Sequence, residues 1–213
     1  MTTETMTVHK ALAELKLLDA RILKAIKEST FCVPKKHSSD EVNGISVDEF
    51  EKQMQGGYDK ATELIKRRKA IKKAVVLSNA VTKVRIANEE YTVCEAIEMK
   101  NHGITFDTAL LNEMQMSYND FQALIERQNG ESLEQKAEEY IKAVYGQSES
   151  KTNPKQVEEA RALFIKNHSY EMVDPLCIVD KMSELDKKIN DFMSEVDAAL
   201  SVSNAITEIT IEY

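Results

Sequence analysis

Apolar residues recur at steps of three and four along most of the chain, the spacing of amphipathic helices. Val8, Leu12, Leu15, Leu18, Ile22, Ala25 and Ile26 make one stripe over a helix from Thr7 to Glu28, with Lys10, Glu14, Arg21, Lys24 and Glu28 opposite. Ser29 to Gly44 breaks the pattern. Pro34, Gly44 and the polar run from Lys35 to Asp40 predict an exposed loop, with a short strand at Phe31-Cys32-Val33. Ser46 followed by Glu49 has capping-box spacing, so a helix is expected from there to Met54, with a break or kink at Gly56-Gly57. The next helix spans roughly Tyr58 to Leu77. Ala61, Leu64, Ile71 and Val75 mark its buried seam, and Arg68 shares that face.

At Ser78-Asn79 the period changes from helical to alternating. Val84 and Ile86 point one way, Lys83 and Arg85 the other, and Ala87 to Glu90 reads as a hairpin loop before Tyr91. Thr92 with Glu95 predicts a second capping box and a helix ending near Asn101-His102, with Gly103 just past its end. Thr105 to Tyr145 is helical again, either unbroken or interrupted at Asn129-Gly130. Gly146 to Asn153 is a polar linker. Asn153-Pro154 opens a further helix, and Asp174-Pro175 opens the last one by the same cap logic. That last helix has the cleanest seam: Ile178, Met182, Leu185, Ile189, Phe192, Val196 and Ala199, at heptad spacing. Its expected partner is the first helix, the basic helix or a copy of itself. A strand from Ile206 to Ile211 ends the chain.

One stretch occurs twice. Leu77-Ser78-Asn79-Ala80-Val81-Thr82 returns 125 positions later as Val202-Ser203-Asn204-Ala205-Ile206-Thr207, and the alternation that follows returns with it. Serine and asparagine side chains bond local backbone groups, which suits an abrupt helix exit. Two like strands would most simply pair with each other, and with the Tyr91 strand, in one small sheet. The expected fold is mainly α: long amphipathic helices in a bundle or coiled coil, with a small antiparallel β element. Residues 1–104 carry the N-terminal helices, the basic helix and the hairpin. Residues 105–213 carry the long helical region and the final helix and strand, and the two portions read as one integrated fold.

Composition narrows the function classes. A formal net charge of -8 over 213 residues argues against general nucleic-acid binding, which draws on lysine and arginine. Cys32, Cys94 and Cys177 are odd in number and far apart, so they suggest neither a disulfide framework nor a metal site, and a reduced intracellular setting is expected. Met1 to Met6 is polar, unlike a secretory signal, and no apolar run approaches the roughly 18 residues of a membrane span. His9, His37, His102 and His168 share no ligand spacing. Ser78 and Ser203 lack nucleophile-elbow glycines. No cofactor or catalytic set is indicated, and an enzyme is not expected.

One concentration of charge stands out: Lys66, Arg67, Arg68, Lys69, Lys72 and Lys73. A charge run is usually a solvated face. The functional alternative is an anion site, with Arg68, Lys72, Arg67 and Lys69 as candidate ligand-binding residues. A guanidinium on an apolar face must be paired or must meet an anion. An ion pair with a carboxylate of another helix would satisfy Arg68 equally well.

The run LSNAVTKVRIANEEYTVCEAIEMKNHGI, preceded by its basic helix, resembles small phage and prophage helical proteins sometimes labelled viral A-type inclusion proteins. The likeness is strongest over Thr7 to Ile26 and Tyr58 to Ile104. It implies phage origin, a place in the host cytoplasm or on the virion, and a helical protein that partners itself. It supplies no catalytic residues. Two functions follow as expectations. The first is a non-enzymatic phage protein that self-associates, in particle assembly or as an interaction module with another phage or host protein. The second is an oligomeric binding protein that sequesters a small anionic, nucleotide-like host signal and so counters host defence.

Overall fold

A computed structural model of the chain describes residues 2–146 and 153–213. They form a mainly α fold in two compact units. The first unit comprises Met1–Gly103 together with Asp191–Tyr213, and the second Ile104–Asn190. Thus the chain's last residues belong with its first, and no simple division into an N-terminal and a C-terminal half describes it. The expected linker from Gly146 to Asn153 lies mostly outside the described residues. Among the described residues no helix is long and apolar enough to cross a membrane.

In the first unit, strand β1 (Thr3–Thr7) leads into helix α1 (Val8–Glu28). Thr7 caps α1 by accepting the Lys10 N–H at 3.2 Å. A two-residue hairpin follows, β2 (Glu41–Val42) and β3 (Ile45–Ser46), turned by Asn43 and Gly44, both at positive φ. The strand expected at Phe31-Cys32-Val33 is not formed. Helix α2 (Val47–Val81) starts where its cap predicts, at Ser46, with Asp48 and Glu49 in its first turn. It then runs unbroken through Gly56-Gly57. Gly57 is not a break but a close approach: a Cβ there would lie 2.7 Å from the Ser29 Oγ.

Strands β4 (Lys83–Ile86) and β5 (Glu89–Thr92) make a tight antiparallel hairpin, Ile86 opposite Glu89, turned by Ala87 and Asn88 at φ of 50° and 66°. Helix α3 (Val93–Glu98) carries the complete capping box between Thr92 and Glu95. It does not stop at Gly103. The chain passes through a π-helical turn, Met99–Gly103, directly into helix α4. Gly103 lies against the Met99 side chain, which would have to shift to admit a Cβ. The last strand, β6 (Glu208–Glu212), pairs antiparallel with β1, Met6 opposite Ile209. The anticipated single sheet is therefore two separate ones, β1–β6 and β4–β5. The N-terminal strand was invisible beforehand because its mate lies at the other end of the chain.

The core of this unit joins Met6, Val8, Ala11, Leu18 and Ile22 of β1 and α1 to Ile71 and Val75 of α2 and to Ile209 and Ile211 of β6.

In the second unit, α4 (Ile104–Asn129) and α5 (Glu131–Tyr145) are separated at Gly130, which decides between the unbroken and the interrupted alternative for this region. Asn129 fixes the break. Its side chain donates to the Tyr170 carbonyl at 2.7 Å and accepts the Tyr170 N–H at 2.8 Å. Helix α6 (Pro154–His168) is capped by Asn153, and its Phe164 stacks on Tyr140 of α5 and on His168. Helix α7 (Ile178–Ile206) starts three residues later than expected. Asp174 still serves it, accepting the Ile178 N–H at 2.9 Å. In the first unit the α7 seam meets a hairpin, with Phe192 edge-on to Tyr91 of β5 at 5.6 Å.

Candidate functional site

The repeated stretch closes two helices in the same way. At the end of α2 the Thr82 N–H donates to the Ser78 carbonyl at 2.8 Å. At the end of α7 the Thr207 N–H donates to the Ser203 carbonyl at 2.9 Å. The likeness then extends beyond what the sequence comparison found. The Thr82 carbonyl accepts the Val93 N–H and the Thr207 carbonyl accepts the Val8 N–H, each at 2.9 Å. Val93 and Val8 are the first helical residues after strands β5 and β1, and both follow a capping threonine. The sequence carries this second half as Thr7-Val8-x-x-Ala11 and Thr92-Val93-x-x-Ala96. Three matched residues are too sparse a signal to find without the coordinates.

The first unit is thus built from two copies of one motif: helix, strand, strand, helix. One copy is α2, β4, β5 and α3, with a tight turn between its strands. The other is α7, β6, β1 and α1, whose strands pair without a connecting turn, their ladder extended by the hydrogen bonds between Thr2 and Tyr213. Equivalent positions are buried alike. Ile71 and Val196 are both fully enclosed, as are Ala11 and Ala96, and Val84 and Ile86 match Ile209 and Ile211.

One inward difference between the copies replaces an apolar side chain with a charge. Arg67 of α2 corresponds to Phe192 of α7. Arg67 is bound by both Glu14 oxygens, by Glu4 at 2.8 Å and by the Tyr213 hydroxyl, and it lies over the Tyr213 ring. The Glu14 bond and then those of Glu4 and Tyr213 push the Arg67 guanidinium up, well above its ordinary value, against a partial loss of hydration. The same contact holds the Glu4 carboxyl below its ordinary range.

This settles where the candidate ligand-binding residues lie. Arg67 points inward and is saturated by carboxylates. Arg68 is bound to Asp19 of α1, which raises its pKa, so the ion-pair alternative describes it. Lys69 and Lys72 are exposed and make no ion pair among the described residues. The structure therefore does not gather the four into one cradle. Among the described residues no three His, Cys, Asp or Glu side chains converge as metal ligands, and the three cysteines are exposed.

What the repeat does create is a pair of open grooves. One, of about 530 Å³, runs between α7 and β4 and is lined by Val84, Arg85, Glu195, Ala199, Val202 and Ile206 among others. The other, of about 390 Å³, runs between α2 and β6 and is lined by Ala70, Lys73, Ala74, Leu77, Thr210 and Ile211 among others. They are equivalent under the repeat: Ala74 matches Ala199 and Leu77 matches Val202. Both leave large apolar side chains in solvent. Leu77 is 59% exposed and Val202 60%, while Val81 is 75% exposed and Ile206 74%. Comparison of the chain with family models, curated proteins and solved structures finds no match.

Proposed function

We propose that this is a non-enzymatic phage protein that self-associates, in particle assembly or as an interaction module, through the apolar strips at the ends of α2 and α7. One observation carries the reading: the same two apolar positions stand exposed, to the same degree, in both copies of the motif. Single exposed leucines and valines are ordinary on a soluble surface. Recurrence at matched positions beside matched grooves is not.

Spacing supports the same reading. Ala70, Ala74, Leu77 and Val81 advance by four, three and four, and Ala199, Val202 and Ile206 by three and four. That is knob spacing for a partner helix, and here each strip faces solvent. Hiding an exposed leucine, valine or isoleucine side chain is worth about 1.5–3 kcal/mol, so four of them suffice to drive association once its entropic cost is met. The phage setting rests on the resemblance of the Leu77 to Ile104 run. The anion-sequestering alternative is less well served, since carboxylates of the same chain already engage Arg67 and Arg68.

Light scattering coupled to size-exclusion chromatography tests the proposal. A mass of two or more chains at micromolar concentration is expected. A sharp monomer there overturns it.

A further inference from the structure

The two grooves share equivalent apolar lining positions, Ala74 with Ala199 and Leu77 with Val202, but are opposite in charge. On the helices, Lys66 of α2 stands where α7 has Asp191. On the strands, Lys83 of β4 stands where β6 has Glu208. Around the α2–β6 groove the helix is basic, with Lys69 and Lys73 also exposed, and the strand is acidic, with Glu208 and Glu212 exposed. Around the α7–β4 groove the helix is acidic, with Glu195 also exposed, and the strand is basic, with Lys83 and Arg85 exposed.

We infer that the α2–β6 groove of one copy docks on the α7–β4 groove of a second copy, helix against helix and strand against strand. This rests on the self-association reading and specifies its partner surface. The apolar strips alone would permit three pairings, because they are the same in both grooves. Charge separates them. Docking like on like sets Lys66, Lys69 and Lys73 against their own copies, or Asp191 and Glu195 against theirs. Docking unlike on unlike in the stated orientation opposes every sign. A crossed arrangement, α2 against β4, brings lysines to Lys83 and Arg85 and is disfavoured.

Some of these charges already have internal partners. Lys83 binds Glu90, and Glu195 accepts the Ala87 N–H at 2.8 Å. Lys66, Lys69, Lys73, Arg85, Asp191, Glu208 and Glu212 make no ion pair among the described residues, so most of the inverted charge is available to another molecule. Complementarity of this kind fixes register and partner choice more than raw affinity, and it weakens with salt.

The test uses matched swaps on the full chain. Lys66→Glu with Lys69→Glu makes the α2 groove acidic. Asp191→Lys with Ser194→Lys, at the equivalent positions, makes the α7 groove basic while leaving the Glu195 contact alone. Circular dichroism and Tm confirm that both variants fold. In sedimentation velocity at low salt, each variant alone is expected to self-associate about tenfold more weakly than the native chain, and an equimolar mixture to recover the native affinity as a mixed assembly. If the native chain associates but the swaps leave it unchanged, or strengthen it, the unlike-groove docking is overturned while self-association stands. If the mixture fails to recover, the docking is likewise overturned. If the native chain stays monomeric, both fall together.

Discussion

Thr82 and Thr207 occupy the same place in two copies of one motif. Each donates its N–H back to a serine carbonyl that ends a long helix, and each accepts the N–H of the valine that opens another, all at 2.8–2.9 Å. Two backbone bonds on one residue thus tie a helix exit to a helix entry, and the paired strands fill the space between. The geometry is set by local chemistry: a threonine that can cap, a valine that is buried at once, and alternation that puts two apolar residues of the strand inward.

The adjacent glycines of α2 separate propensity from contact. A methyl group at Gly56 meets nothing within 4 Å, whereas at Gly57 it meets Ser29. Glycine in a helix interior is about 0.8–1.0 kcal/mol less favourable than alanine. Gly56→Ala is expected to raise stability by up to about 1 kcal/mol. Gly57→Ala is expected to lower it, because the Ser29 hydroxyl is held by the Ala25 carbonyl at 2.7 Å and cannot simply turn away. Paired urea denaturation curves check this, and equal gains from both changes would contradict the packing described.

Acid should destabilise the fold through Glu4. Its carboxyl is held below the usual glutamate value of about 4.3 chiefly by the Arg67 hydrogen bond. A depressed carboxylate contributes stability that is present above its unfolded pKa and is lost as pH falls through the folded value. Glu95, held low by the Thr92 N–H and hydroxyl, adds to the same limb. Stability is therefore expected to fall on acidification below about pH 4.3, and Arg67→Met should flatten that limb. Arg67→Met should also lower stability near neutrality, since Glu4 and Glu14 lose their shared cation. Unfolding midpoints from pH 3 to 7 measure both, and an unchanged acid limb in the variant would refute the assignment to Glu4.

The β4–β5 turn holds an alanine, Ala87, at φ of 50°. That left-handed backbone costs a non-glycine residue roughly 1–2 kcal/mol, less for asparagine. Ala87→Asn should stabilise the protein by about 0.5–1 kcal/mol while keeping the N–H that donates to Glu195. A fall in Tm would show that the turn is not of this type.

Much of the architecture was legible in the sequence wherever the deciding interaction was local. The stripe of α1, the Thr92–Glu95 capping box and the Asn153 cap all depend on residues within a few positions of one another. The twin Ser-Asn exits were visible for the same reason. What stayed hidden depends on distant contacts. β1 is a strand because β6 lies beside it, and nothing in Thr3–Thr7 says so alone. Gly57 resembles a break by composition, yet the helix runs through it and Ser29 crowds the place of a Cβ there. The charged candidates divide likewise. Arg68 on its helix face could be placed, but the carboxylates that claim it and Arg67 come from α1 and β1. The apolar strips went unnoticed as a surface because Leu77 and Val202 read as ordinary helical residues until the grooves beside them were seen.

The account turns on the matched strips, and one comparison tests them most directly: sedimentation velocity of the native chain beside Leu77→Glu with Val202→Glu. Both side chains are more than half exposed, so the fold should survive with its helical signal and Tm intact. The native chain should sediment as an assembly at micromolar concentration and the variant as a monomer. A native monomer, or a variant that assembles as the native chain does, would contradict the claim that these two strips are where copies of this protein meet.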